Sequence, residues 1–135
     1  MKDLIVTDEF KSKEFYLLAR LPILVGKDYL LIKLSSVMYI EADGCYSKVF
    51  TTQKETHFQT SKNLGYYEKI MPCHSFFRVH NKYVVNLNEI KMIQRDHHWS
   101  LVLTDKSIIR VSDDKKEILL KKLGLKFDSL NEITD

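Results

Sequence analysis

The chain has 135 residues, 44% of them hydrophobic and 29% charged, with a formal charge of +3. These values suit one globular domain and exclude a disordered chain or a coiled coil. No apolar run approaches the roughly 18 residues that span a bilayer, and Met1, Lys2, Asp3, Leu4 and Ile5 do not open a signal peptide, so a cytoplasmic protein with no membrane partner is expected.

Residues 1–20 read as an N-terminal extension. From Leu21 onward short apolar or alternating runs follow at 23–25, 29–32 and 37–41, each strand-sized and rich in β-formers. The runs 37–41 and 46–51 flank Ala42, Asp43, Gly44 and Cys45. Asp-Gly is favoured in tight turns that need positive φ, so a hairpin with Gly44 at its tip is predicted. Residues 56–60 form a further short strand. Ser61 is the expected cap of a helix whose apolar positions Leu64, Tyr67, Ile70 and Met71 follow helical spacing, and Pro72 ends it.

Two more β-like runs, 76–80 and 83–86, are interrupted by the polar pair Asn81 and Lys82, which suits a turn. Residues 90–94, 99–103 and 107–111 continue as a meander, with Thr104, Asp105 and Lys106 as a turn between the last two. Ser112, Asp113 and Asp114 place capping groups and acidic charge before Ile118, Leu119, Leu120 and Leu123, with lysines late. That order predicts a C-terminal helix ending near Gly124. Nothing marks an internal boundary, so 21–123 reads as one domain and 124–135 as a tail. The class is mainly β, with small antiparallel sheets, one central helix and one short C-terminal helix.

Fold class alone names no function, but residues 76–90 carry more. Phe76, Phe77, Arg78, Val79, His80, Asn81, Lys82, Tyr83, Val84, Val85, Asn86 and Ile90 closely resemble the central "FxRxHRSYxVNxxxI" block of the LytTR family of bacterial DNA-binding domains. Two further blocks stand in the correct order. Residues 37–43 with Tyr46 and Val49 resemble "IxYIEAxxxYxxV", and Ile109, Arg110, Val111 and Ser112 resemble "IxVS". The resemblance implies an elongated stack of small β-sheets whose loops enter successive major grooves of promoter DNA. Most members carry an upstream receiver domain, for which this chain has no room. A stand-alone member or an isolated output domain is therefore expected, with a separate sensor or receiver protein supplying the signal.

The resemblance also implies three places that read bases: the loop of the first block, the turn of the central block and the start of the final helix. The first loop offers Cys45, Tyr46, Ser47 and Lys48. Tyr46 reads as core, Ser47 as a small donor and acceptor, and Lys48 as a cation for phosphate or guanine. In the central turn, Asn81 can bond adenine bidentately or simply supply a left-handed turn conformation, and Lys82 can neutralise a phosphate. Alternation puts Arg78 and His80 on one face, with Arg78 either DNA-facing or in a buried network and His80 structural. Asn86 reads as a structural amide. At the final helix Asp113 stands where the family commonly has Arg, so this anchor is expected to be weaker or altered in specificity, with Lys115, Lys116 and Arg110 as compensating cations.

Eight basic residues face three acidic ones between Ser47 and Arg95, an excess hidden by acidic ends of the chain. No enzyme constellation is recognised among Cys45, Cys73, His74, His80, His97 and His98, and neither a cofactor nor a metal is expected. Both cysteines read as buried or half-buried free thiols. The expected partner is double-stranded promoter DNA with repeated half-sites, bound by a dimer. The rival reading is a protein-interaction module that keeps the fold and has lost DNA reading.

Overall fold

A computed structural model of the chain describes residues 13–53 and 56–125. The described residues run α1 (Lys13–Leu18), β1 (Arg20–Val25), β2 (Asp28–Lys33), β3 (Val37–Asp43), β4 (Tyr46–Thr51), β5 (His57–Thr60), α2 (Leu64–Ile70), β6 (Phe76–His80), β7 (Tyr83–Asn86), β8 (Ile90–Arg95), β9 (Trp99–Leu103), β10 (Ile108–Arg110) and α3 (Lys116–Lys122). Strands β1 and β2 pair alone, β8 to β10 form a three-stranded meander, and the five-stranded sheet has the order β5-β4-β3-β7-β6. All pairings are antiparallel. The expected mainly β class with small antiparallel sheets is what the chain adopts, and α1, inside the stretch read as an extension, adds a third short helix. Tyr16 of α1 is buried in the core. The tail beyond Leu125 lies outside the described residues.

The five-stranded sheet has apolar side chains on both faces, so it separates two cores. On one face Val37, Ile40, Val49, Phe76 and Val84 pack with Tyr16, Leu21, Ile23, Ile32, Leu64 and Tyr67 from α1, β1, β2 and α2. On the other, Met38, Val79 and Val85 pack with Trp99, Leu101, Leu103, Ile109, Leu119 and Leu120 from the meander and α3. Consecutive residues Val84 and Val85 enter opposite cores, which follows from the two-residue period of a strand. Bulges between Val37 and Tyr39 and between Arg78 and His80 break that period locally.

One ring from each strand lines part of the second face: His57, Phe50, Tyr39, Tyr83 and His80 from β5, β4, β3, β7 and β6. Tyr39 stacks on Phe50 at 4.4 Å between centroids, Tyr83 meets Tyr39 edge-on at 6.1 Å, and the histidines tilt against the ends of the row. Such cross-strand aromatic pairs favour the observed register over a slipped one.

The turns follow local chemistry. Gly44 has φ +61° at the tip of the β3–β4 hairpin, as Asp-Gly predicted. In the β9–β10 turn Lys106 takes φ +75°, and Asp105 accepts from the Ser107 N–H at 2.9 Å. Two caps differ from expectation. Asn63, not Ser61, caps α2, its Oδ1 accepting from the Tyr66 N–H at 2.9 Å. Ser112 makes no side-chain cap; its carbonyl accepts from the Lys115 N–H, and a 3-10 turn over Asp113–Lys115 precedes α3. Met71, restricted by Pro72, is extended and closes α2. Gly124 at φ +79° closes α3.

Asn86 ties these parts together. Its side chain is fully buried; Nδ2 donates to the Val37 carbonyl and the Tyr16 hydroxyl, each at 2.8 Å, and Oδ1 accepts from the Asn88 N–H at 3.0 Å. Truncation removes four hydrogen bonds, two of them, to the Val37 carbonyl and the Tyr16 hydroxyl, deep in the protein. Asn86→Ala should therefore destabilise the domain by about 3 kcal/mol, seen as a lower urea midpoint at unchanged slope.

Candidate nucleic-acid interface

Antiparallel pairing brings four connections to one end of the two larger sheets. β3 ends where β7 begins, since Glu41 pairs with Tyr83, so the β3–β4 tip lies beside the β6–β7 turn. The Ala42 N–H donates to the Lys82 carbonyl at 2.8 Å. The Ser112 N–H donates to the Val79 carbonyl at 2.8 Å, bringing the lead-in to α3 beside β6, and the Val111 N–H donates to the Trp99 carbonyl at 2.9 Å, next to the β8–β9 tip. Backbone bonds thus set these connections in a row.

At the first loop the structure corrects three expectations. Tyr46, read as core, is 52% exposed, whereas Ser47 is fully buried and donates its hydroxyl to the Lys62 carbonyl at 2.8 Å. The reason is parity: Ser47 shares a face with Val49, which belongs to the first core, and Tyr46 shares the opposite face with Lys48. Cys45 and Cys73 are both exposed, not buried or half-buried, because Cys45 sits on the hairpin turn and Cys73 on the connection after α2. Lys48 is half-buried and stands opposite Glu41 on β3 and Gln59 on β5. Cys45 and Tyr46, more than Ser47, form the surface of this loop.

The central turn is braced from inside. One Arg78 nitrogen donates to Glu68 at 2.9 Å and another to the Asn81 carbonyl at 2.6 Å, so Arg78 belongs to a supporting network joining β6 to α2. His80 Nδ1 accepts from the Lys82 N–H at 3.1 Å. The two do not share a face. Arg78 pairs with Val84 of the first core and His80 with Tyr83 beside the second, the bulge at Val79 having absorbed the alternation. Asn81 and Lys82 are exposed. Among the described residues Lys106 is the non-glycine residue with positive φ, so Asn81 does not supply a left-handed conformation.

At the third place Asp113 pairs with Lys116 at 3.1 Å. The hydrogen bond and charge of Lys116, helped by Arg110 and His98, hold the Asp113 carboxyl below its ordinary range, so it stays an anion around neutrality. Lys116 also lies 5.3 Å from the centre of the Trp99 ring, and Lys115 lies 5.9 Å from that of Phe77. Arg110 is exposed, with a terminal nitrogen 3.0 Å from His98 Nδ1. In the sequence His98 stands out only as a metal or catalytic candidate, and alternation alone does not orient Arg110. Counting back from buried Ile109 and Val111 gives the outward direction of Arg110, and the Arg110–Ser100 pairing brings it near residue 98. No group of three or more metal-ligating side chains occurs among the described residues, nor does a helix long and apolar enough to cross a membrane.

The family model of the LytTr DNA-binding domain matches residues 27–124. The chain belongs to this family. It is 25% identical over 107 residues to the sensory transduction protein LytR of Staphylococcus saprophyticus, a match covering 78% of this chain and 41% of that protein. It is 24% identical over 107 residues to the LytR of Staphylococcus epidermidis, covering 78% and 42%. The chain thus spans about two-fifths of the length of these relatives. Among solved structures it is similar to the LytTr DNA-binding domain of a Bacillus cereus protein described as a methyl-accepting/DNA response regulator. That match has a TM-score of 0.67 and 26% identity, covering 79% of this chain and 98% of the other. The fold of this LytTr domain and its membership in a DNA-binding family therefore agree.

The placement of Ser47 gives a direct check. Ser47→Ala removes one buried hydrogen bond and should lower stability by about 1 kcal/mol. Base preference in a DNA-binding assay should be the same as for the unmodified chain.

Proposed function

We propose that this LytTr domain is the DNA-reading part of a cytoplasmic bacterial transcription regulator of the two-component type, holding promoter DNA through loops in successive major grooves. The observation that carries the reading is the β6–β7 turn. Arg78, His80 and the Ala42 N–H satisfy its backbone from behind, while Asn81 and Lys82 face solvent. Because the turn needs no positive φ at Asn81, its amide is available for an adenine edge, with Lys82 beside it for a phosphate. Lys48 and Lys115 supply further positive charge on either side. The sensory transduction relatives support a place downstream of a sensor or receiver protein. One small module covers limited DNA, so two copies on repeated half-sites are the expected assembly.

A second reading, an interaction module without DNA reading, is favoured by one observation: the Asp113 anion stands at the third anchor and is paired with Lys116. Salt separates the two, because phosphate contacts release counterions and protein contacts of mixed charge do not.

Selection from a randomised duplex pool, followed by titration at two salt concentrations, is the test. A repeated motif with a steep salt slope is expected. Asn81→Ala should lose about 1–3 kcal/mol and relax preference at one position, while Lys82→Ala should weaken all sequences alike and lower the salt slope by about one. No enrichment at low salt by a folded protein would overturn the reading. Asp113→Asn removes an anion without changing shape and should strengthen binding, measured in the same titration.

A further inference from the structure

The β8–β9 tip and the end of β10 meet at the same end of the molecule as the Asn81 turn, and the side chains there are organised. Arg110 is the last residue of β10. Two residues later the Ser112 N–H bonds to Val79, so Arg110 lies close to the central turn. Its guanidinium is exposed, and one terminal nitrogen is held 3.0 Å from His98 Nδ1. The nearby anion, Asp113, has its hydrogen bond directed to Lys116 at 3.1 Å. Arg110 acts on that carboxylate through its charge.

We propose that Arg110 is a guanine-reading residue of this LytTr domain and that His98 is the positioning residue that orients it, so that the β8–β9 tip joins the DNA-facing row. The inference rests on the DNA-binding reading above and deepens it. An arginine carries five N–H donors in a rigid fork. When the His98 proton is on Nε2, Nδ1 accepts from one of them and four remain. That suffices for the bidentate contact to guanine O6 and N7 in a major groove. A free arginine loses much rotamer freedom on binding, and a bond already made in the unbound protein removes part of that loss. Lysine has the charge without the fork, so charge and base reading are separable at this position.

The test uses the full chain and the duplex it selects from a randomised pool, with Arg110→Ala, Arg110→Lys, His98→Ala and His98→Gln. Urea midpoints close to that of the unmodified protein confirm folding, since both side chains are exposed. Arg110→Ala should weaken the selected site about ten-fold or more and erase preference at one G·C pair. Arg110→Lys should keep the salt slope and lose that preference. His98→Ala should weaken the same site several-fold, and His98→Gln, whose Oε1 can accept from Arg110, should recover most of the loss. If Arg110→Lys preserves base preference at every position, or Arg110→Ala weakens all sequences alike, Arg110 does not read a base and the proposal falls while DNA reading stands. If the unmodified chain enriches no motif at low salt, DNA reading falls and takes this proposal with it.

Discussion

The buried side chain of Asn86 is the constraint on which the arrangement of this domain depends. An amide without water must find protein partners for its donors and acceptor, and those found here lie on two elements distant in sequence and on the turn that follows β7. Nδ2 reaches Val37 at the start of β3 and Tyr16 on α1, and Oδ1 reaches Asn88. Satisfying the amide sets the end of β7 against the beginning of β3. From there the pairing runs through Tyr39 with Val85, Ile40 with Val84 and Glu41 with Tyr83. A one-residue slip would exchange Val84 and Val85 between the two cores and strand the amide, so register and core composition are fixed together.

That register also determines what solvent meets at the far end of the sheet. With Glu41 opposite Tyr83, the Ala42 N–H reaches Lys82, and the first hairpin and central turn become neighbours. Val79, displaced by the bulge, lies in the second core while its carbonyl receives Ser112. The bulge joins the five-stranded sheet to the region before α3 and at the same time turns Arg78 away from His80. Arg78 then braces Asn81 through its backbone, and the asparagine side chain is left outward.

Electrostatics at this end is a matter of local pairing more than of net charge. A formal charge of +3 would barely distinguish this chain from any other. Lys116 answers Asp113, Glu68 answers Arg78, and His98 rather than a carboxylate holds Arg110. The acid at 113 therefore removes Lys116 from the pool of available cations, while it meets Arg110 through charge. Such an arrangement keeps a directed guanidinium beside a turn whose sequence reads as acidic.

Much of this was legible in the order of residues. The alternating runs, the Asp-Gly hairpin, the proline after α2 and the long central block specify strands, turns and family, because each depends on short-range sterics or on spacing within one element. Asn86 was legible as a structural amide from its place at the end of a strand, whereas its partners Val37 and Tyr16 were not. The faces near the bulge were not. Alternation put Arg78 with His80, and one extra residue at Val79 undid it, a displacement visible only once β6 is paired with β7. Tyr46 and Ser47 exchanged their expected places because the parity of β4 is set by Val49 entering the first core, a fact about packing across the sheet. The meeting of His98, Arg110 and Asp113 likewise needed three strands in register. The sequence by itself determined which elements form and which family they build. Tertiary pairing decided which side chains face outward, since a residue's face depends on its partner strand and no single strand encodes that partner's register.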